Sequence, residues 1–294
     1  MGTFIPNSNA LVFLLCVAVR VAHGAQDPPA LFIFGDSDFD VGTNNFLNTK
    51  AKANFAYNGI DFYHSTPTGR FSNGFNLADQ LARKFGHKQS PPPYLGLEKN
   101  ESSFKNNILQ GVNFASAGAG ILSETGSQLC SSLASEATTS SNLHVMATHL
   151  RLEYAANVEG FSSGNEGKCL TQLNDLAVAF QTQTAHFLQD FAYAALPDFK
   201  PSFVNSFLLT QNVLNPGLKE TKSACCGSGL LNGKGECIKD QNSTVCADRN
   251  DHLYWDWFHY TQKASELFAD TLFGKLGGHY SAPFNFDQLP SIKL

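Results

Sequence analysis

No stretch of this sequence is apolar for long enough to cross a bilayer core of roughly 30 Å as a helix. The longest candidate, Leu11 to Val19, is about nine residues, and Arg20 puts a charge at its end. That length, with the small residues of Ala22-His23-Gly24 just beyond it, predicts a cleaved secretory leader over 1–24, although its first residues lack the usual Lys or Arg. A single soluble domain over 25–294 is then expected, secreted to the extracellular space or cell wall. The sequence has no excess of basic residues either. Lys and Arg number 20 against 25 Asp and Glu, which gives a net charge of −5 and no reason to expect nucleic acid or an anionic membrane as a partner. Internal repeats and low-complexity linkers are absent, which removes support for a purely structural wall protein.

Among what is present, 43% hydrophobic residues can bury a real core, and most of the 25 Phe stand in apolar runs. Loss of the leader removes Cys16 and leaves Cys130, Cys169, Cys225, Cys226, Cys237 and Cys246. An even number in an oxidising compartment favours disulfides. The alternative is a zinc site from the last four cysteines and His252, but adjacent cysteines followed by long gaps do not match zinc-ribbon spacing. Asn100-Glu101-Ser102 and Asn242-Ser243-Thr244 are glycosylation sequons, which agree with an extracellular surface.

Leu31-Phe32-Ile33-Phe34 reads as a strand buried on both faces, ended by Gly35 and Asp36. Asn76 to Phe85 reads as a helix closed by Gly86, and Gly111 to Ser116 as a second strand. Leu170 to Ala195 is a long amphipathic segment, with His144 to Ala156 a shorter helix candidate before it. Phe203-Val204 marks a third strand and Ala264 to Phe273 a final helix. Alternating strands and helices predict an α/β layered fold with a mostly parallel sheet. Three strands are few for a chain of this length.

Gly35-Asp36-Ser37 stands where the first strand ends. A serine there projects its hydroxyl into the crevice where open α/β sheets bind ligands. Taken alone, the tripeptide reads as a turn. A base is needed to activate the serine, and Asp256-Trp257-Phe258-His259 supplies a carboxylate three residues before an imidazole. Asp256 on Nδ1 of His259 would leave Nε2 facing Ser37, the order of orienter, base and nucleophile in a triad. Gly118 and Gly120 lack the third glycine of a nucleotide loop.

Residues 35–45, Gly35-Asp36-Ser37-Asp38-Phe39-Asp40-Val41-Gly42-Thr43-Asn44-Asn45, resemble the first block of the plant GDSL esterases and lipases, a branch of the SGNH hydrolases. Asp38 stands where the name-giving leucine of that block is usual. Pro67 to Gly74, Pro91 to Leu95, Gly111 to Gly120, and Cys225 onward to Ala264 resemble further blocks of the same family. The resemblance implies a three-layer SGNH-type fold, a single hydrolase domain acting as a monomer on a small-molecule or lipid ester, and no metal or cofactor. It implies Ser37 as nucleophile, His259 as base and then acid, and Asp256 as its orienter. The backbone N–H groups of Ser37 and Gly118 would be oxyanion donors.

One block of that family is missing. Its Gly-x-Asn-Asp run, whose Asn donates to the oxyanion, has no counterpart here. The two Asn-Asp pairs, Asn174-Asp175 and Asn250-Asp251, stand in the long amphipathic segment and in the final block. The family's next strand, with its Gly-Pro-x-Gly-Cys run, is also absent, and its cysteine is the one the resemblance would pair with Cys169. A deletion around Gln128 to His149, removing one or two strands, is the economical reading. Two functional readings result: an active carboxylic ester hydrolase, or a secreted relative impaired by an incomplete oxyanion hole.

Overall fold

The computed structural model describes residues 16–17, 28–99, 104, 107–119, 178, 182, 186, 201–212, 217–233, 237–239, 242–257 and 259–289. The expected helix at His144 to Ala156 lies outside these residues, as do Asn100, Cys130, Cys169 and most of the segment Leu170 to Ala195.

Strand β2 (Leu31–Ile33) pairs in parallel with β3 (Gly111–Asn113), Leu31 opposite Gly111 and Ile33 opposite Asn113. Hydrogen bonds from Phe114 N–H to Ile33 (2.7 Å) and from Ser116 N–H to Gly35 (3.1 Å) continue the ladder past both strand ends. The loops beyond these ends, one carrying Ser37 and the other Gly118, therefore leave the sheet side by side. The other edge of β2 is taken antiparallel by β1 (Cys16–Val17), a pair of residues from the apolar run read as leader.

Helix α1 (Leu77–Lys84) begins where the sequence predicts, because Asn76 caps it. The Asn76 side chain accepts from Asp79 N–H at 3.2 Å while Asp79 accepts from Asn76 N–H at 3.0 Å, a capping box. Asp79 is fully buried and also takes both prongs of the Arg70 guanidinium, at 2.6 and 2.8 Å. A planar fork matched to a carboxylate satisfies both charges, as burial requires. Beyond α1, Gly86 has φ +95°, a left-handed conformation that favours glycine at a helix end.

Helix α2 (Tyr94–Glu98) precedes β3, and α3 (Ser206–Asn212) comes after β4 (Ser202–Val204). Helix α4 (Gln262–Phe273) is capped by Thr261, whose hydroxyl accepts from Ala264 N–H at 3.1 Å. It packs against α1 over a core of Leu31, Ile33, Leu77, Leu81, Phe268 and Leu272.

The fold is mixed α/β, but its described strands do not form one central sheet. Among the described residues there are four small sheets: β1-β2-β3, β4 with β9 (Ser281–Pro283), β5 (Glu220–Ala224) with β8 (His252–Tyr254), and β6 (Cys226–Gly227) with β7 (Thr244–Val245). This corrects the expectation for Phe203-Val204. That strand exists, yet it pairs antiparallel with the C-terminal β9 rather than extending the parallel sheet. Among the described residues no strand lies between β3 and β4.

Candidate functional site: the Ser37 and His259 turns

The C-terminal half of the site is built on two disulfides. Cys225 bonds to Cys246 and Cys226 to Cys237, as expected for cysteines in this region. The sulfurs of Cys225 and Cys246, which lie near His252, are therefore bonded to each other. Around them a small core closes on Trp255, whose indole N–H donates to Asn58 at 2.9 Å. Cys226 N–H bonds to the Trp255 carbonyl (2.6 Å), and Trp255 N–H bonds to the His259 carbonyl (2.7 Å). The cross-links thus brace the short loop that carries Asp256 and His259. A disulfide closing a loop of this size contributes about 3 kcal/mol, largely through the unfolded chain. Replacing Cys226 and Cys237 together by serine is expected to cost about 2–4 kcal/mol. It should also slow any ester hydrolysis, and unchanged thermal melts would contradict this.

Within the loop, Asp256 accepts from the His259 backbone N–H at 2.8 Å and faces Nδ1 at 2.8 and 2.9 Å. Both residues are buried. One carboxylate oxygen fixes the loop and the pair together fixes the imidazole, so the expected pairing of Asp256 with His259 is present. The Phe71 ring lies 4.7 Å from the imidazole and limits its tilt.

Ser37 lies in the turn after β2, flanked by Asp36 and Asp38. Burial opposes a charge on His259, yet the charge and hydrogen bond of Asp256, with the charges of Asp38 and Asp36, raise its pKa above the usual range. The Ser37 turn and His259 are thus close enough to interact electrostatically. Among the described residues no hydrogen bond joins the Ser37 hydroxyl to His259. Asp36 is 2% exposed, and burial pushes its pKa up to about 6 despite the Asp38 N–H and nearby His259. Its second oxygen has no hydrogen-bond partner among the described residues. Asp38, which burial and then Asp36 push well above the usual range, is a second carboxylate near His259.

Gly118 is half-buried, with φ +87°. Among the described residues neither its N–H nor that of Ser37 donates a hydrogen bond, leaving both expected oxyanion donors open. Asn242 is exposed at φ +58°, an accessible sequon. Two residues that the sequence shows only as parts of a motif hold the site together. Asp40 accepts from Gly42, Thr43 and Ala117 N–H groups at 2.7, 2.7 and 2.9 Å, and Asn44 bonds to Ala117 and Ser116. Their spacing in the first block carries no signal of a partner in the second block, which is why the sequence did not assign them.

Residues 128–272 match the model of the GDSL-like Lipase/Acylhydrolase family. Full-length relatives show the same kinship. One GDSL esterase/lipase of Arabidopsis thaliana is 28% identical over 350 positions, covering 90% of this chain and 96% of the relative. A second is 29% identical over 362 positions, covering 93% and 94%. GDSL esterase/lipase 7 of the same plant is 27% identical over 360 positions, covering 90% and 92%.

The chain is similar to GDSL esterases and lipases over most of its length.

These alignments also measure what this chain lacks beside those relatives. The first spans 350 positions, yet 90% of 294 residues is about 265, so about 85 positions of the relative face no residue here. A shortfall of that size fits the absent Gly-x-Asn-Asp and Gly-Pro-x-Gly-Cys runs.

Proposed function

We propose that this chain is a serine hydrolase that cleaves carboxylic esters of lipids or acylated small molecules through an acyl-enzyme. The observation that carries the reading is the buried Asp256–His259 pair beside the Ser37 turn, with kinship to proteins named for ester hydrolysis in support. Ser37 Oγ attacks the ester carbonyl carbon while its proton passes to His259 Nε2. The alcohol leaves with that proton, and water, deprotonated by the same nitrogen, releases the acid. The N–H groups of Ser37 and Gly118 hold the negative oxygen of each tetrahedral intermediate. Residues 1–24 are a leader, 25–294 one secreted monomeric domain, and Asn100 and Asn242 its glycan acceptors. Among the described residues no helix is long and apolar enough to cross a membrane.

A second reading, an impaired relative, is favoured by the missing positions. One oxyanion donor typically contributes about 10²–10³ in kcat, so the chain as it stands should be slow. The test is hydrolysis of a short-chain ester by this chain and by a version carrying a relative's central segment in place of residues 128–149. Both are expected to hydrolyse the ester, the restored one at least about a hundredfold faster and with a higher melting temperature. Hydrolysis by neither would overturn the proposal. Equal rates and melting temperatures would show that no donor is missing.

A further inference from the structure

Ala119 N–H bonds to the Ser116 carbonyl at 3.1 Å, closing a four-residue turn with Ala117 and Gly118 at its centre. Gly118 has φ +87° while Ala117 stays at negative φ, the signature of a type II turn. Types I and II share their ends and differ mainly in the direction of the central peptide, here Ala117–Gly118. A half-turn of that one peptide interconverts them, and glycine at the second central position tolerates both states. The direction of the Gly118 N–H is therefore a two-state property of the loop.

Asn44 settles which state is occupied. It lies in the turn Thr43–Phe46 just after the nucleophile, and its side chain is buried. Its amide Nδ2 donates to the Ala117 carbonyl and to the Ala51 carbonyl, both at 2.9 Å, and its Oδ1 accepts from Ser116 Oγ at 2.5 Å. In a planar trans peptide the C=O and the following N–H point in opposite directions. Drawing the Ala117 carbonyl toward Asn44 therefore turns the Gly118 N–H away from it. Asp40 holds the preceding N–H, that of Ala117, at 2.9 Å, so the turn is gripped on both sides by the loop that carries Ser37.

We propose that Asn44 is a positioning residue that locks the Ala117–Gly118 peptide in the orientation that presents the Gly118 N–H to the oxyanion. This rests on the reading of Gly118 as a donor. The discriminating variant is Asn44→Asp, which keeps the shape and the Ser116 contact. It replaces the donor with a carboxylate that repels the Ala117 carbonyl and attracts the Gly118 N–H. The expected outcome is a flipped central peptide in a crystal structure of the full-length variant. In ester hydrolysis kcat should fall by about 10²–10³ with KM changed less than about twofold.

Ser202→Ala is the control, since it removes a hydrogen bond from the buried Ser202 hydroxyl to the Phe284 carbonyl, just beyond β9. It should lower the melting temperature while leaving kcat in place. An unflipped peptide in Asn44→Asp, or a kcat loss no larger than in Ser202→Ala, would overturn the proposal. Hydrolysis that persists in Ser37→Ala would instead sink the nucleophile assignment. The peptide orientation would still decide whether Asn44 holds the turn.

Discussion

Ser37→Ala is expected to bring ester hydrolysis to the uncatalysed background, a fall of at least about 10⁴-fold. In a complete triad, loss of the nucleophile costs about 10⁶ in kcat. If an oxyanion donor is missing, the starting rate is lower and the measurable fall is smaller. Serine is required because its oxygen forms and then loses the bond to the acyl carbon, which a methyl group cannot do. The side chain is half-buried and, among the described residues, carries no hydrogen bond of its own, so its removal should leave the melting temperature nearly unchanged. Lost activity with an intact melt is the pattern that separates a nucleophile from a turn residue. Retained turnover in Ser37→Ala would mean that another group does the chemistry.

Asp256→Asn is expected to lower kcat by about 10⁴, for a reason particular to this loop. Asp256 serves two donors at once, the His259 backbone N–H and the imidazole Nδ1–H. An asparagine has one acceptor oxygen, and the backbone N–H keeps it. The side-chain NH₂ then faces Nδ1 and forces the imidazole into the tautomer with its proton on Nε2. That nitrogen is the one that must accept from Ser37.

The pH profile changes as well. His259 works as a base only when neutral, and Asp256 is the main charge that raises its pKa against the effect of burial. In the parent chain activity should therefore rise with pH through a midpoint above the usual histidine value. In Asp256→Asn the plateau should fall and the midpoint move to lower pH. A midpoint that does not move, measured by initial rates across pH 5 to 9, would exclude His259 as the titrating base.

Local structure was largely legible in the sequence where one residue decides it. Asn76 and Gly86 each mark a helix end through a side chain or a backbone angle that few other residues supply, whereas the last helix starts at Gln262 behind its Thr261 cap, two residues before the expected Ala264. The Asp256–His259 pair was legible for the same reason, since a three-residue spacing within one tight loop leaves little room for other outcomes. Sheet membership was not. Phe203 and Val204 are apolar and β-branched enough to read as a strand, but pairing is set by which edge is free, and Ser281–Pro283 offered one. Asp40 and Asn44 were invisible as site residues because their partners, Ser116 and Ala117, stand more than seventy positions away in sequence. Long-range hydrogen bonds of that kind leave no periodicity to read.

The assignment of the chemistry to one serine activated by one histidine is tested most directly by treating the intact chain with a fluorophosphonate and locating the adduct by peptide mass spectrometry. A single adduct on Ser37 is expected, and its loss in His259→Ala, which keeps the hydroxyl but removes the imidazole. An adduct on any other residue, or labelling of Ser37 that is as fast in His259→Ala as in the parent chain, would contradict it.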